Sequence, residues 1–223
     1  MSWWEFWKPK RERLDFVRDF LEWNSQAIPG IRALDQLNFT VLDTETTGLD
    51  PAKDAILSFG AVQISGRRIQ IHTAVEWYPQ TENTSRKTAA IHGLVEITQP
   101  MPLEEFARNL LAYLSNSILV GHHVNFDLHM LERLLTPFGI EKLPNPVIDT
   151  LSMAIRLEHG PHADPTRIHP ENYSLDQLCL RYGIEVDDRH TAAGDAFLTA
   201  QLLLKLLKIA EKKGIRTYKE LMR

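Results

Sequence analysis

The order of its hydrophobic patterns restricts this chain more than any other feature. Three β-rich runs come first: FTVLD (39–43), AILSFGAVQIS (55–65) and IQIHTAVEW (69–77), the last two joined by GRR. Short β-rich runs with turn residues between them predict an antiparallel meander. The pattern then changes. LEEFARNLLAYLSNS (103–117) has a helical period and ILVGHH (118–123) reads as a strand. NFDLHMLERLL (125–135) reads as a helix ended by Pro137 and Gly139. PVIDT (146–150) is a short strand feeding a helix through Leu157. SLDQLCLRYG (174–183) opens on a capping serine and closes on a glycine. AAGDAFLTAQLLLKLLKIAEKKG (192–214) predicts a long apolar helix. Strands first, then helix–strand alternation, predict an α/β fold in which helices flank a mixed sheet.

The stretch before the meander differs. It holds Trp3, Trp4, Trp7 and Trp23, four of the five tryptophans, and Leu14, Phe16, Val17, Phe20 and Leu21 form a helical stripe. We divide the chain into a Trp-rich helical N-terminal arm (1–37), a main domain (38–210) and a short helical C-terminal tail (211–223). Three readings of the arm stand: docked on the domain, offered to a protein partner, or laid on a membrane surface. A single cysteine, Cys179, excludes an intrachain disulfide, and its apolar helical setting places it in the core. No apolar run approaches the roughly 20 residues of a membrane span, and the N-terminus lacks a secretory pattern. These features predict a cytoplasmic protein with no membrane partner. A net charge of −4 excludes a protein that coats duplex nucleic acid, which is usually basic. Any nucleic-acid contact is expected to be local, one strand end in one cleft.

Acids stand at the ends of several of these elements. Asp43 and Glu45, two apart in VLDTETTG (41–48), point to one face of a strand, with Thr44 turned away. Like charges held that close repel unless a proton or a cation intervenes. Asp127 falls in the first turn of the helix after ILVGHH, and Asp195 in the first turn of the last long helix, five residues after His190. Taken singly, an acid in a first helical turn needs no function, because the helix dipole favours it by a few tenths of a kcal/mol, about 0.3 at the least. Gathered in one place, four carboxylates require cations. Hard oxygen ligands select Mg²⁺ or Mn²⁺. The set suits two such ions about 3.5–4 Å apart, the arrangement for in-line displacement at a phosphodiester. His190 is the candidate proton acceptor for an attacking water.

DTETTG (43–48), HHVNFD (122–127) and HTAAGD (190–195) resemble the three motifs of the DEDDh 3′–5′ exonucleases, the group that contains the epsilon proofreading subunit of bacterial DNA polymerase III. The resemblance spans about residues 38–208 and includes IHGL (91–94). It implies a ribonuclease-H-like fold and release of nucleoside 5′-monophosphates from a single-stranded 3′ end. DNA is expected over RNA, although no residue announces a contact to a 2′-hydroxyl. Asp43, Glu45, Asp127 and Asp195 are then the metal ligands and His190 the general base. The backbone around Thr46, Thr47 and Gly48 holds the terminal 3′-hydroxyl, Leu49 presses on the last base, and His92 and Phe126 line the nucleotide pocket. Many members read His-Asn where this chain has His122-His123; the extra imidazole either touches phosphate or replaces an amide hydrogen bond. Alternatives of other classes are an exoribonuclease and a polymerase-associated subunit whose main role is binding. A zinc cluster of His159, His162 and His169 is disfavoured, because they lie in a proline-rich loop with no cysteine near.

Overall fold

The computed structural model describes residues 14–80, 100–162, 164, 166, 168–186 and 189–223. Its centre is a five-stranded sheet. Strands β1 (Phe39–Thr46), β2 (Ile56–Ser65) and β3 (Arg68–Trp77) form the expected meander. β4 (Ile118–Gly121) and β5 (Val147–Asp149) extend it on the other side, giving the order β3-β2-β1-β4-β5. β1 runs antiparallel to β2 and parallel to β4, so the sheet is mixed and β1 lies at its centre. β1 is longer than its apolar run predicts. Thr44, Glu45 and Thr46 pair with Phe59, Ser58 and Ile56 of β2, with a register shift between Glu45 and Thr46. The partner strand supplies the ladder that the polar residues alone do not signal.

Helix α1 (Asp15–Trp23) precedes the sheet; α2 (Leu103–Leu114), α3 (Asn125–Leu135), α4 (Thr150–His159), α5 (Leu175–Tyr182), α6 (Ala192–Lys212) and α7 (Tyr218–Leu221) follow the meander. The sheet separates two cores. On one face Phe39 and Val41 of β1 meet Val62 and Ile64 of β2 and the apolar sides of α4, α5 and α6. On the other, Leu42 meets Phe59, Phe106 of α2, Leu128 and Leu131 of α3, and Val17 and Phe20 of α1. Alternate residues of β1 therefore serve opposite cores. Cys179 is fully buried in the first of them.

Local chemistry sets the element ends. Ser174 Oγ caps α5 by accepting from the Gln177 N–H at 3.3 Å, and Gly183 closes it at φ 63°. Thr191 Oγ1 caps α6 by accepting from the Gly194 N–H at 3.0 Å. α4 runs two residues past Leu157, to His159, and Pro170–Tyr173 forms a 3-10 turn at the end of the proline-rich loop.

α1 is docked: Val17 and Phe20 are fully buried, whereas Trp23 stays half exposed. Trp3, Trp4 and Trp7 lie outside the described residues. α6 runs to Lys212, past the boundary drawn at residue 210. The segments expected to be arm and tail meet: Ala33 bridges Thr217, and Tyr218 and Lys219 donate backbone hydrogen bonds to Arg32 and Gly30. Among the described residues no helix is long and apolar enough to cross a membrane.

Candidate active site

β1 carries the site at its C-terminal end. Asp43 and Glu45 continue the face of Phe39 and Val41, the face covered by α6. Asp195, in the first turn of α6, comes down onto them. Carboxylate oxygens of Asp43, Glu45 and Asp195 lie within 4.8 Å of one another, and among the described residues this is the group that could hold a metal ion. His159, His162 and His169 form no such group; the His159 ring instead lies 2.7 Å (Nε2) from the Tyr173 hydroxyl.

Glycine makes the approach of α6 possible. Gly60 of β2 pairs with Asp43, and a Cβ on it would lie 2.0 Å from the Ala192 carbonyl carbon and 2.2 Å from the Ala193 nitrogen. The first turn of α6 therefore rests directly on the β2 backbone beside Asp43.

Asp127 reaches the site from the other face. Thr44, between the two strand acids, points toward α3, and both its N–H (2.9 Å) and its hydroxyl (2.6 Å) donate to Asp127 Oδ1. Asp127 is 5% exposed. It stands outside the tight group of three, with one oxygen engaged by Thr44, yet its charge is felt by Asp43. Burial first, then Asp127, Asp195 and Glu45, push the Asp43 carboxyl well above the usual range. Burial raises Asp127 to about 6 against the lowering effect of the Thr44 hydrogen bonds. The pocket thus holds more negative charge than a buried site sustains unaided. Its donors are all hard carboxylate oxygens, which fits Mg²⁺ or Mn²⁺.

His190 is exposed just before the α6 cap, with φ 67°. Arg189 beside it links Asp176 of α5 to Asp195: Nε donates to Asp176 Oδ1 at 2.6 Å and Nη1 to Asp195 Oδ1.

The turn after β1 is braced. Thr46 Oγ1 donates to the Gly48 carbonyl at 2.7 Å, Thr47 Oγ1 to Asp54 Oδ1 at 2.8 Å, and the Asp50 N–H to Asp54 Oδ2 at 2.8 Å. Arg133 of α3 grips the turn through the Pro51 and Asp54 carbonyls. A Cβ on Gly48 would lie 2.5 Å from Asp54 Oδ2, so a side chain there would have to displace the carboxylate that braces the turn. Leu49 at the tip is 86% exposed. Phe126 packs half-buried against the α3 core. His92 lies outside the described residues.

His122 and His123 play different parts. His122 Nδ1 lies 2.9 Å from Thr150 Oγ1, and burial lowers this ring to about 4, which keeps it neutral. His123 has φ 60°, a left-handed conformation that Asn, Asp and His adopt more readily than other residues, and its N–H donates to Asp149 Oδ1 at 3.2 Å. The position selects for backbone conformation, and its exposed ring stands edge-on to His122.

The family model described as Exonuclease matches residues 40–203, from the first residues of β1 to the middle of α6. The chain belongs to this exonuclease family. It is 34% identical over 187 residues to the PolC-type DNA polymerase III of Thermotoga maritima, a match covering 82% of the chain but 13% of that protein. The DNA polymerase III epsilon subunit of Aquifex aeolicus is 29% identical, with 83% of the chain and 88% of the relative covered. An epsilon-like protein of Rhodobacter capsulatus is 34% identical over 195 residues, 83% of the chain and 26% of the relative. Thus the chain spans only about an eighth of the PolC-type relatives it matches. Escherichia coli exonuclease I, in a complex with a dA16 oligonucleotide, has the same fold: TM-score 0.63 at 19% identity, over 80% of this chain and 42% of that one. The ribonuclease-H-like architecture expected from the sequence is the one present.

Four contributors to this exonuclease fold's pocket carry little or no signal in the sequence. Gly60 left a trace, since a glycine inside a strand marks a close backbone approach. Thr44 was noted only as the residue turned away. Asp54 and Arg189 carried no local signal, because their partners lie in other elements.

Proposed function

We propose that the chain is a divalent-metal-dependent 3′–5′ exonuclease that removes nucleoside 5′-monophosphates from single-stranded DNA. The observation that carries the reading is the convergence of Asp43, Glu45 and Asp195 beside a buried Asp127 at the end of β1. Asp43, Glu45, Asp127 and Asp195 would hold the metal, which would supply Lewis-acid stabilisation of the phosphodiester; the number of carboxylates suits two ions. His190, exposed just before the α6 cap, takes a proton from the attacking water at a ring nitrogen. The water oxygen bonds to phosphorus, the P–O bond to the preceding 3′-oxygen breaks, that oxygen takes up a proton from solvent to become the new 3′-hydroxyl, and a 5′-monophosphate leaves. The braced 46–49 backbone receives the terminal 3′-hydroxyl. Leu49 and Phe126 border the base, where apolar walls grip any base without reading sequence.

DNA is favoured because the structural neighbour is described with a DNA oligonucleotide and the relatives are DNA polymerase III proteins. Those relatives also favour action alongside a polymerase, with the arm as one candidate contact. The test uses matched 5′-labelled DNA and RNA single strands with Mg²⁺ or Mn²⁺. Stepwise shortening of the DNA from its 3′ end, stopped by chelator, is expected. Faster loss of RNA overturns the choice of sugar, and undiminished activity in excess chelator overturns the metal. His190→Ala should lower turnover by about 10²–10⁴-fold while Mn²⁺ binding stays unchanged.

A further inference from the structure

A strong cation stands at the edge of the acidic cluster. Arg189 holds Asp176 with two nitrogens, Nε at 2.6 Å and Nη2 at 3.3 Å, and turns Nη1 onto Asp195 Oδ1. Its side chain is 21% exposed and that of Asp195 is 11% exposed. Asp195 is also one of the three carboxylates that cluster at the end of β1. The same carboxylate therefore faces a guanidinium on one side and the proposed metal position on the other. A guanidinium keeps its charge at any working pH and has no lone pair to offer a metal. It cannot ligate a divalent ion itself, and so close to Asp195 it draws on the same negative charge and repels that ion through space.

We propose that Arg189 is an internal counter-cation that stands in for the divalent ion at Asp195 and thereby sets the protein's affinity for that ion. The inference rests on Asp195 being a metal ligand, as proposed above. Without metal, Arg189 neutralises part of the charge that α6 brings down onto β1. With metal, the guanidinium gives up Asp195 and keeps Asp176, whose carboxylate accepts from the other two nitrogens of the fork. Asp176 is thus the resting place of the displaced arginine. A clamp that merely joined α5 to α6 would stabilise both forms of the protein alike. A counter-cation stabilises the metal-free form alone.

The test is calorimetric titration of the full chain with MnCl₂ at low ionic strength, paired with thermal melts with and without the ion. Arg189→Gln should bind Mn²⁺ about tenfold more tightly than the unaltered protein. Its metal-free melting temperature should fall, and saturating Mn²⁺ should restore it. If Arg189→Gln does not fold without metal, Arg189→Lys is titrated instead. Lysine keeps the charge but loses the fork that reaches both acids, so an intermediate gain in affinity is expected. Unchanged or weaker Mn²⁺ binding in the folded variant overturns the inference, as does an equal loss of melting temperature with and without the ion. Absence of saturable Mn²⁺ binding by the unaltered protein sinks the metal reading itself, and this inference with it; saturable binding that Asp43→Asn removes keeps that reading whatever the Arg189 variants do.

Discussion

Consecutive residues of β1 look onto two differently built halves of one pocket. On the α6 side, Asp43 and Glu45 meet Asp195, and like charges crowd together with Arg189 at their edge. On the α3 side, Thr44 meets Asp127, and a single buried acid receives two hydrogen bonds. The first half is held in spite of its charge and the second by polar satisfaction. Repulsion is tolerated where a cation can relieve it, whereas an acid that must keep its aim is pinned by donors.

The largest expected break falls on the crowded half. Asp43→Asn should lower turnover by about 10²–10³-fold or more, as loss of a charged partner of the reacting group does. The metal-free protein should nevertheless melt higher, because an acid whose carboxyl is pushed far upward destabilises the fold when ionised at neutral pH. Activity assays and melts of the same variant check both directions. A lower metal-free melting temperature contradicts the repulsion account.

Each half also has a glycine at its close approach, and the two should respond unequally. A Cβ at Gly60 meets α6 backbone at 2.0–2.3 Å, which cannot give way without moving the turn that carries Asp195. A Cβ at Gly121 meets chiefly the Val124 side chain at 2.7 Å, ahead of α3. Gly60→Ala should cost about 1–3 kcal/mol and most of the activity, and Gly121→Ala less of each. Equal losses would mean that α6 is not seated by that contact.

A smaller effect is expected from the satisfied half. Thr44→Val keeps the shape and the backbone donor but removes the 2.6 Å hydroxyl bond to Asp127. Turnover should fall about 10–100-fold, the usual cost of losing an outer partner of a metal ligand, with the fold retained. A variant as active as the parent would show that Asp127 needs no such aim.

The mildest probe is pH. Asp127 titrates at about 6 in the folded chain against an ordinary value of 3.8, and Asp43 is raised as well. The folded form holds these protons more tightly, so metal-free stability falls as pH rises from about 4 to about 6 and then levels. For Asp127 alone this amounts to about 3 kcal/mol. His122, lowered to about 4, has the opposite sign and loses stability as pH falls below its ordinary 6.5. The difference between melts with and without Mn²⁺ cancels His122. The gain from Mn²⁺ should grow between pH 5 and pH 7, and a flat difference would separate the raised acids from metal binding.

Much of this was legible in the chain. The meander, the helix–strand units, the capped α5 and the long α6 follow from periodicity and end residues, because those signals act over a few neighbours. The three acidic motifs were legible for the same reason: each is a short run at the end of one element. Less legible was how far an element extends once a partner is present. β1 continues through Thr46 because β2 offers it a ladder.

The sequence by itself determined which acids exist and that each stands at an element end. Only the tertiary structure decided that Asp195 joins Asp43 and Glu45 while Asp127 answers to Thr44, that Gly60 seats α6, and that Arg189 shares Asp195 with the pocket. The reason is geometric. The alternation of a strand sends neighbours to opposite faces, but which helix covers each face is set by contacts between residues far apart in the chain, and no local pattern encodes those distances.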